Sequence, residues 1–515
     1  MSISLRPDRV TSEVGRSVEP ARPPDAVAVA LLAIAVSAAG AARPSLWFDE
    51  AATISASTRT VPELWRLLGN IDAVHGLYYL IMHGWFAVFP ATEFWSRFSS
   101  SLTVGVAAAG VVVLGKQLST RPVAVTAGVV FAVLPRVTWA GMEARSYALS
   151  MVVGVWLTVL CVAAVRRNRV WWWLSYLGLV IAGTLLNVFV VLIVAVHAVV
   201  VPVLSRSARV VGCWAAGACV AVATVTPFLL FTQTQLFQVG WISPLNSATV
   251  GKILREQYFD HALPVAVLSG LLIVAVLLCR PRPSAAVGDH PGQLITVTLA
   301  WLVVPTAFLL VYSAVRHPIY YPRYLSFTAP GMALLLGYCI VAVGRSRAPI
   351  AAVLLLLAAA ATPNYLAQRG PYAKEGMDYS QVADVIGRYA APGDCLVMDN
   401  TTTWKPGPIR PLTAARPAAY AKLHDYGRGL PAIERNMLWD QHIAIWSWAD
   451  KLPDCPALWT VSERDTTLPD HQRGSALPPG PRLARAMAYQ VPSRFGFRVV
   501  ERWQFSFAQV TKSIR

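Results

Sequence analysis

The sequence predicts a polytopic α-helical membrane protein with about eleven transmembrane helices, a long external loop near its N-terminus and a small C-terminal α/β domain. Three observations carry that expectation. Hydrophobic residues make up 55% of the 515-residue chain and charged residues only 14%, where a soluble globular protein carries roughly 25% charged residues. Apolar runs recur from residue 25 to residue 366, each close to the ~20 residues that a bilayer crossing takes. After residue 366 the composition turns polar, with Pro, Asp and Arg throughout. The net charge of +17 would suggest nucleic acid in a soluble protein. In a membrane protein it follows from Lys and Arg gathering in cytoplasmic loops to set orientation, so no nucleic-acid partner is expected.

Taken in order, residues 1–23 hold Arg6, Arg9, Arg16 and Arg22 and read as a disordered cytoplasmic tail. The first apolar run, Ala26 to Ala42, lacks a small-residue cleavage site and reads as a retained span. The candidate spans are 25–43, 95–115, 121–138, 147–165, 171–186, 188–204, 210–231, 262–279, 293–314, 325–344 and 348–366. One further stretch, AVHGLYYLIMHGWFAVFP at 73–90, is ambiguous by hydropathy. Left on the membrane surface, it puts Lys116 and Arg121, Arg166, Arg167 and Arg169, Arg206 and Arg209, Arg280 and Arg282, and Arg345 and Arg347 all on the side of the N-terminal tail. Counted as a span, it flips every one of those loops against the positive-inside rule. His75, Tyr79 and His83 also recur every four residues, the polar stripe of an interfacial helix. The expected topology is therefore a transmembrane domain over 24–366 in the plasma membrane, N-terminus cytoplasmic and C-terminus extracytoplasmic. Its external loop is 44–94, and Asn187 marks a tight outer turn.

The remainder, 367–515, is expected outside. YSQVADVIGRYAAPGDCLVMD reads as an amphipathic helix, a Pro-Gly turn and a short apolar strand, the start of a small α/β domain. Cys395 and Cys455 lie there and can pair as a disulfide if the domain faces an oxidising compartment. The other five cysteines lie in apolar runs and read as packing residues, and no spacing suggests zinc.

With this topology the unusual polar residues share one face. SLWFDEAATISAS carries Asp49 and Glu50 just after the first span. Asp72 and His75 open the interfacial helix. WAGMEARSYAL (139–149) carries Glu143, Arg145 and Tyr147. VRHPIYYPRYLSFTAP (315–330) carries Arg316, His317, Tyr320, Tyr321, Arg323 and Tyr324, and Lys252, Arg255 and Tyr258 precede the eighth span. Guanidinium forks match the oxygens of a phosphate arriving from the lipid. Aromatic side chains suit a sugar face at the membrane border, and a carboxylate beside them can take a proton from a hydroxyl. The combination points to transfer of a sugar from a lipid phosphate to a hydroxyl. Each residue has a plainer role as well. Asp49 could N-cap the helix EAATISAS, with Glu50 favoured by its dipole. Arg145 and Arg323 could snorkel to the interface. His75 could be solvated, His83 could pack, Glu143 could pair with an Arg, and Lys252 and Arg255 could face water. A transporter or flippase would keep ionisable groups or broken helices near the midplane, and the spans show neither. An inactive scaffold recruiting partners through the outer domain is the other alternative.

WFDEA, then HGLYYLIMHGWF about 25 residues on, RF at 97–98, EARSYAL and PRYLSFTAP together resemble the GT-C membrane glycosyltransferases, nearest the protein O-mannosyltransferase and RgtA-like group, over roughly 25–366. Gly76 departs from the Pro that the group often has. The resemblance implies a GT-C fold and an inverting transfer from a polyprenyl-phosphate-sugar donor to a glycan, glycolipid or protein acceptor. Asp49 would be the general base, and Glu50 would orient it or the acceptor. Arg145 and Arg323 would hold the donor phosphate, with Tyr147, Tyr321 and Tyr324 beside them, and His75, Tyr79 and Glu143 would line the substrate site. No cofactor or metal is implied, although Asp49, Glu50 and His75 could form a hard-cation site. The Ala-, Val- and Arg-rich composition suggests a high-GC actinobacterium. That would put decaprenyl-phosphate-mannose first among donors and the arabinofuranose lipid second, with a lipoglycan, cell-wall polysaccharide or secreted protein as acceptor.

Overall fold

The computed structural model describes residues 23–279, 287, 291–399 and 409–515. The expected tail up to residue 22 and the inner-loop pair Arg280 and Arg282 lie outside the described residues. Helix α1 (Pro23–Ala38) is followed by three short helices, α2 (Phe48–Ser57), α3 (Val61–Asn70) and α4 (Gly76–Phe86). Then come α5 (Glu93–Leu118), α6 (Arg121–Val133), α7 (Pro135–Ala140), α8 (Tyr147–Arg167), α9 (Val170–Leu186), α10 (Leu192–Leu204) and α11 (Ala208–Gln233). A one-turn α12 (Ala248–Gly251) precedes α13 (Leu263–Cys279), α14 (Pro291–Val315), α15 (Ala329–Gly344) and α16 (Arg347–Ala367).

Every predicted span falls on helix. Among the described residues six helices are long and apolar enough to cross a membrane: Glu93–Leu118, Tyr147–Arg167, Ala208–Gln233, Pro291–Val315, Pro322–Gly344 and Arg347–Ala367. The other five predicted spans are shorter apolar helices of 10–17 residues. One of them, α6, stops where Leu134 turns extended (ψ 125°) ahead of Pro135, as the residue before a proline must, and the chain resumes as α7. The ambiguous stretch at 73–90 holds the 11-residue α4. At 1.5 Å per residue it rises only about 16 Å, too little for the ~30 Å hydrocarbon layer.

The helices pack through small residues. A Cβ at Gly337 of α15 would stand 2.6 Å from Cβ of Ala127 on α6 and 2.7 Å from its Cα and N, so only glycine permits that approach. Asp25 accepts from Lys116 at 2.6 Å and from Arg121 at 2.8 Å, tying the start of α1 to the end of α5 and the start of α6. The opposite end gathers α2 to α4, the turn at 141–146, residues 316–328 and the C-terminal part of the chain.

After α16, Arg369 donates back to the carbonyls of Ala39 (2.6 Å) and Val36 (2.8 Å). The predicted helix, turn and strand are α17 (Tyr379–Tyr389), a turn with Gly393 at φ +89°, and β1 (Cys395–Met398). Strands β2 (Leu458–Glu463), β3 (His471–Leu477), β4 (Arg498–Gln504) and β5 (Ala508–Ile514) complete one sheet in the order β1-β2-β5-β4-β3. The β1–β2 pair is parallel and the other three are antiparallel. Cys395 and Cys455 are disulfide-bonded, their Cα atoms 5.6 Å apart. The core beneath the sheet takes in Leu46, Trp47, Ala51 and Ile54 along with Tyr379, Val382, Leu396, Trp459 and Val461. Ala52 and Ala56, on the other side of α2, pack with Tyr78, Tyr79 and Met82 of α4. Two apolar cores therefore clamp a ten-residue helix that would be marginal alone.

Candidate active site

The site is built around the start of α2. The helix begins at Phe48 with Trp47 as N-cap, so Asp49 is not the cap that the plainer reading allowed. Asp49 and Glu50 occupy the first turn, where the exposed N–H groups and the helix dipole favour carboxylates. Consecutive helical residues point about 100° apart, and the two acids go different ways.

Glu50 points inward and is fully buried. Arg97 grips it with two parallel bonds, Nε to Oε1 at 2.7 Å and Nη2 to Oε2 at 2.6 Å. The other guanidinium N–H groups bond the carbonyls of Ala41, Pro44 and Ser45 at 2.8 Å each, and the Ala144 N–H donates to Glu50 at 3.1 Å. Glu50 thus joins three segments and does not line the cavity; of the two roles expected for it, orienting Asp49 or orienting the acceptor, direct contact with an acceptor there is not open to it.

Asp49 lines a cavity of about 590 Å³ together with Asp72, His75, Arg145, Tyr147, Tyr321, Arg323 and Tyr324; Trp47, Phe48, Trp241 and Trp439 supply aromatic walls. Arg323 brings Nη2 to 3.5 Å from Asp49 Oδ2. Its guanidinium sits 5.4, 5.6 and 5.0 Å from the rings of Trp47, Trp241 and Tyr321, which hold a planar cation from several sides. Arg145 donates from Nη1 to the Tyr79 hydroxyl at 2.9 Å and from Nη2 to His75 Nε2 at 2.8 Å, and Tyr79 donates to Asp72 at 2.6 Å. The two arginines are only 7% and 9% exposed, so neither snorkels. Each keeps a buried Nε without a hydrogen-bond partner.

Arginine can only donate. His75 must therefore accept at Nε2 and carry its proton on Nδ1. Burial, then Arg145 and Arg323, hold its pKa well below the ordinary imidazole value. Burial pushes Asp72 the other way, against the pull of Arg145 and the Tyr79 bond.

Tyr79 is fully buried behind Arg145. Glu143 is fully buried under the cavity wall, where it takes the Trp47 Nε1–H at 2.5 Å and pairs with Lys374. Neither reaches the space a substrate would fill, so the expectation that they line it is corrected: they hold Arg145 and Trp47. Burial pushes the Glu143 carboxyl up, against the pull of Lys374 and with the help of Glu50. Tyr258 bonds Thr328 and Tyr320 bonds Gln257 away from the cavity, and Arg255 is exposed. Asp49, Glu50 and His75 do not meet as a cation site, since Glu50 faces Arg97 and His75 faces Arg145. Among the described residues no cluster of three His, Cys, Asp or Glu side chains is placed to hold a metal.

Sequence reasoning put Asp72 on the shared face without a role, and did not single out Trp241, Glu375 or Trp439, all of which line the cavity. Asp72 had a signal in its place beside His75 at the start of the helix on the shared polar face, and it sits there at φ +61°, a conformation that Asp tolerates better than most residues. Trp439 lies 390 residues from Asp49 in a loop with no periodic pattern, and only folding brings it there.

No family model and no curated protein sequence matches the chain. ArnT from Cupriavidus metallidurans, solved in the apo state and bound to undecaprenyl phosphate, is similar in structure with a TM-score of 0.53 and 14% identity over 95% of this chain and 97% of that one. A weaker likeness, TM-score 0.45 at 11% identity, covers 85% of this chain and 68% of an oligosaccharyltransferase from Archaeoglobus fulgidus. The likeness to ArnT is one of architecture: over nearly its whole length this chain shares the fold of that protein.

Proposed function

We propose that the chain is an integral-membrane glycosyltransferase that moves a sugar, mannose first, from a polyprenyl-phosphate donor to a hydroxyl of a cell-envelope glycan, lipoglycan or protein on the outer face. The observation that carries this reading is the Asp49 carboxylate opposite Arg323 at 3.5 Å, in a cavity whose second cation, Arg145, also has a buried, unpaired Nε. A donor phosphate would take up those N–H groups as charge-assisted bonds and draw Arg323 away from Asp49, leaving the carboxylate free. Asp49 would then accept the proton of the acceptor hydroxyl as its oxygen bonds to the anomeric carbon. The anomeric carbon–oxygen bond to phosphate breaks, and the anomer inverts. The phosphate leaves as an anion held by Arg145 and Arg323, so the leaving group needs fixed positive charge more than a proton. The fold shared with a protein solved with undecaprenyl phosphate bound supports a polyprenyl donor.

The test is to reconstitute the full-length protein and supply radiolabelled polyprenyl-phosphate-mannose and polyprenyl-phosphate-arabinose separately. Sugar from the mannose lipid should appear on acceptor; movement from the arabinose lipid instead would favour the pentosyl reading. Asp49→Asn should fold, bind donor and lose turnover by roughly 10²–10⁴-fold, the usual weight of general acid–base catalysis. Unchanged products from that variant would remove Asp49 as the base, and donor crossing the bilayer without sugar transfer would replace the enzyme reading with a flippase.

A further inference from the structure

A hairpin from the C-terminal part of the chain reaches over the cavity. Its arms pair at Arg428 and His442, with Gly429 N–H donating to Gln441 and Gln441 N–H to Leu430, both at 2.9 Å. The tip is pinned to α2 and its neighbours through three consecutive backbone carbonyls. Asn70 donates to Asn436 (3.3 Å), Arg59 to Met437 (2.5 Å) and Ser55 to Leu438 (2.7 Å). Leu438 plugs into the core shared with α4. Trp439 then lies in the cavity wall, its ring 5.3 Å from Phe48 and tilted by 57°. Among the described residues its indole N–H has no hydrogen-bond partner.

Resting on the reading of Asp49 as the base, we propose that Trp439 is a specificity-determining residue that receives the sugar ring of a saccharide acceptor. Phe48, Asp49 and Trp439 all line the cavity, so a ring whose hydroxyl reaches that carboxylate can lie against the Phe48–Trp439 pair. The other aromatic group, Trp47, Trp241 and Tyr321, already encloses Arg323 on the phosphate side. The two groups divide the cavity into a donor half and an acceptor half. Trp439 offers what a sugar ring takes: a flat apolar face for its C–H groups and one free N–H for a hydroxyl. A peptide acceptor would look for backbone acceptors, and the tip has committed its carbonyls at 436, 437 and 438 to side chains of the membrane part.

The experiment compares wild type, Trp439→Ala and Trp439→Phe, each reconstituted at full length with polyprenyl-phosphate-mannose. Three quantities are read: transfer to a short mannan oligosaccharide, transfer to a Ser/Thr-containing peptide, and hydrolysis of donor by water. The expected result is a rise of about tenfold or more in KM for the oligosaccharide in Trp439→Ala, in line with the loss of a buried aromatic contact. Trp439→Phe should recover most of that loss, and in both variants the KM for the donor should change less than the KM for the oligosaccharide; a single symmetric gel-filtration peak in detergent shows that the variants fold. Unchanged oligosaccharide KM in Trp439→Ala, equal loss of donor affinity, or wild-type transfer to the peptide alone would overturn the proposal while leaving the glycosyltransferase reading in place. Absence of both transfer and hydrolysis by wild type would sink that reading, and this proposal with it.

Discussion

At the scale of single residues, two adjacent acids do two jobs because a helix turns about 100° per residue. Glu50 is spent on a buried bidentate pair with Arg97. Removing one partner of such a pair typically costs about 3–5 kcal/mol, so activity lost on changing Glu50 reports on folding before chemistry. Asp49 is left facing Arg323. His75 illustrates a subtler constraint. It must stay neutral to accept from Arg145, and burial with two nearby guanidinium groups lowers its pKa. The unfolded chain therefore binds a proton below about pH 6.5 while the folded chain does not, and stability must fall as pH drops through that range. Asp49, Asp72, Arg145 and Arg323 line the same cavity, and Tyr79 lies behind Arg145; all five are present in the variant as in wild type. His75→Gln, which retains an acceptor without a titrating group, should flatten the fall in melting temperature between pH 6.5 and 5 in detergent. Equal slopes for variant and wild type would mean that His75 carries no such load.

At the scale of elements, the apolar runs were legible because lipid leaves no other solution for backbone polar groups than a helix. The helix α4 was legible from the spacing of His75, Tyr79 and His83, but the stripe faces inward. Tyr79 is buried and His83 Nδ1 contacts the Ser57 carbonyl at 3.0 Å, because α2 lies over α4 where water was expected. The 3.6-residue period tells which side chains share a face and not what covers it. The same limit holds for helix contacts. Gly337 and Gly178 look alike in the sequence, yet the first abuts the backbone of Ala127 and the second has nothing within 4 Å. Gly337→Ala should force α6 and α15 apart at a cost of about 1–3 kcal/mol, the usual range for overpacking, and lower the melting temperature. Gly178→Ala should leave it unchanged or slightly raised, since alanine favours helix. Similar melting shifts for the two would refute the close packing.

At the scale of the whole molecule, the sequence could assemble the site only as far as a shared membrane face. That each loop places its polar residues at one end follows from counting spans. That Arg323 rather than Arg316 meets Asp49, that Glu143 supports Trp47 from beneath, and that Trp439 arrives from the far end of the chain depend on contacts over hundreds of residues, which no local pattern encodes. The orientation of the molecule belongs to this scale too. Asp25, Lys116 and Arg121 mark one end, and the basic turn at Arg345 and Arg347 joins the positive-inside argument for calling that side cytoplasmic. The hairpin and the Cys395–Cys455 disulfide belong to the part expected outside, where oxidising conditions preserve such bonds. Arg435 is exposed in the hairpin tip and Arg345 is exposed between α15 and α16. In a background with the five free cysteines changed to alanine, Arg435→Cys should react with a membrane-impermeant maleimide on intact cells, and Arg345→Cys only after permeabilisation. The reverse pattern would put Asp49 and both arginines at the cytoplasmic leaflet. The acceptor would then have to be a cytosolic hydroxyl, and transfer to a cell-envelope glycan could no longer be the reaction.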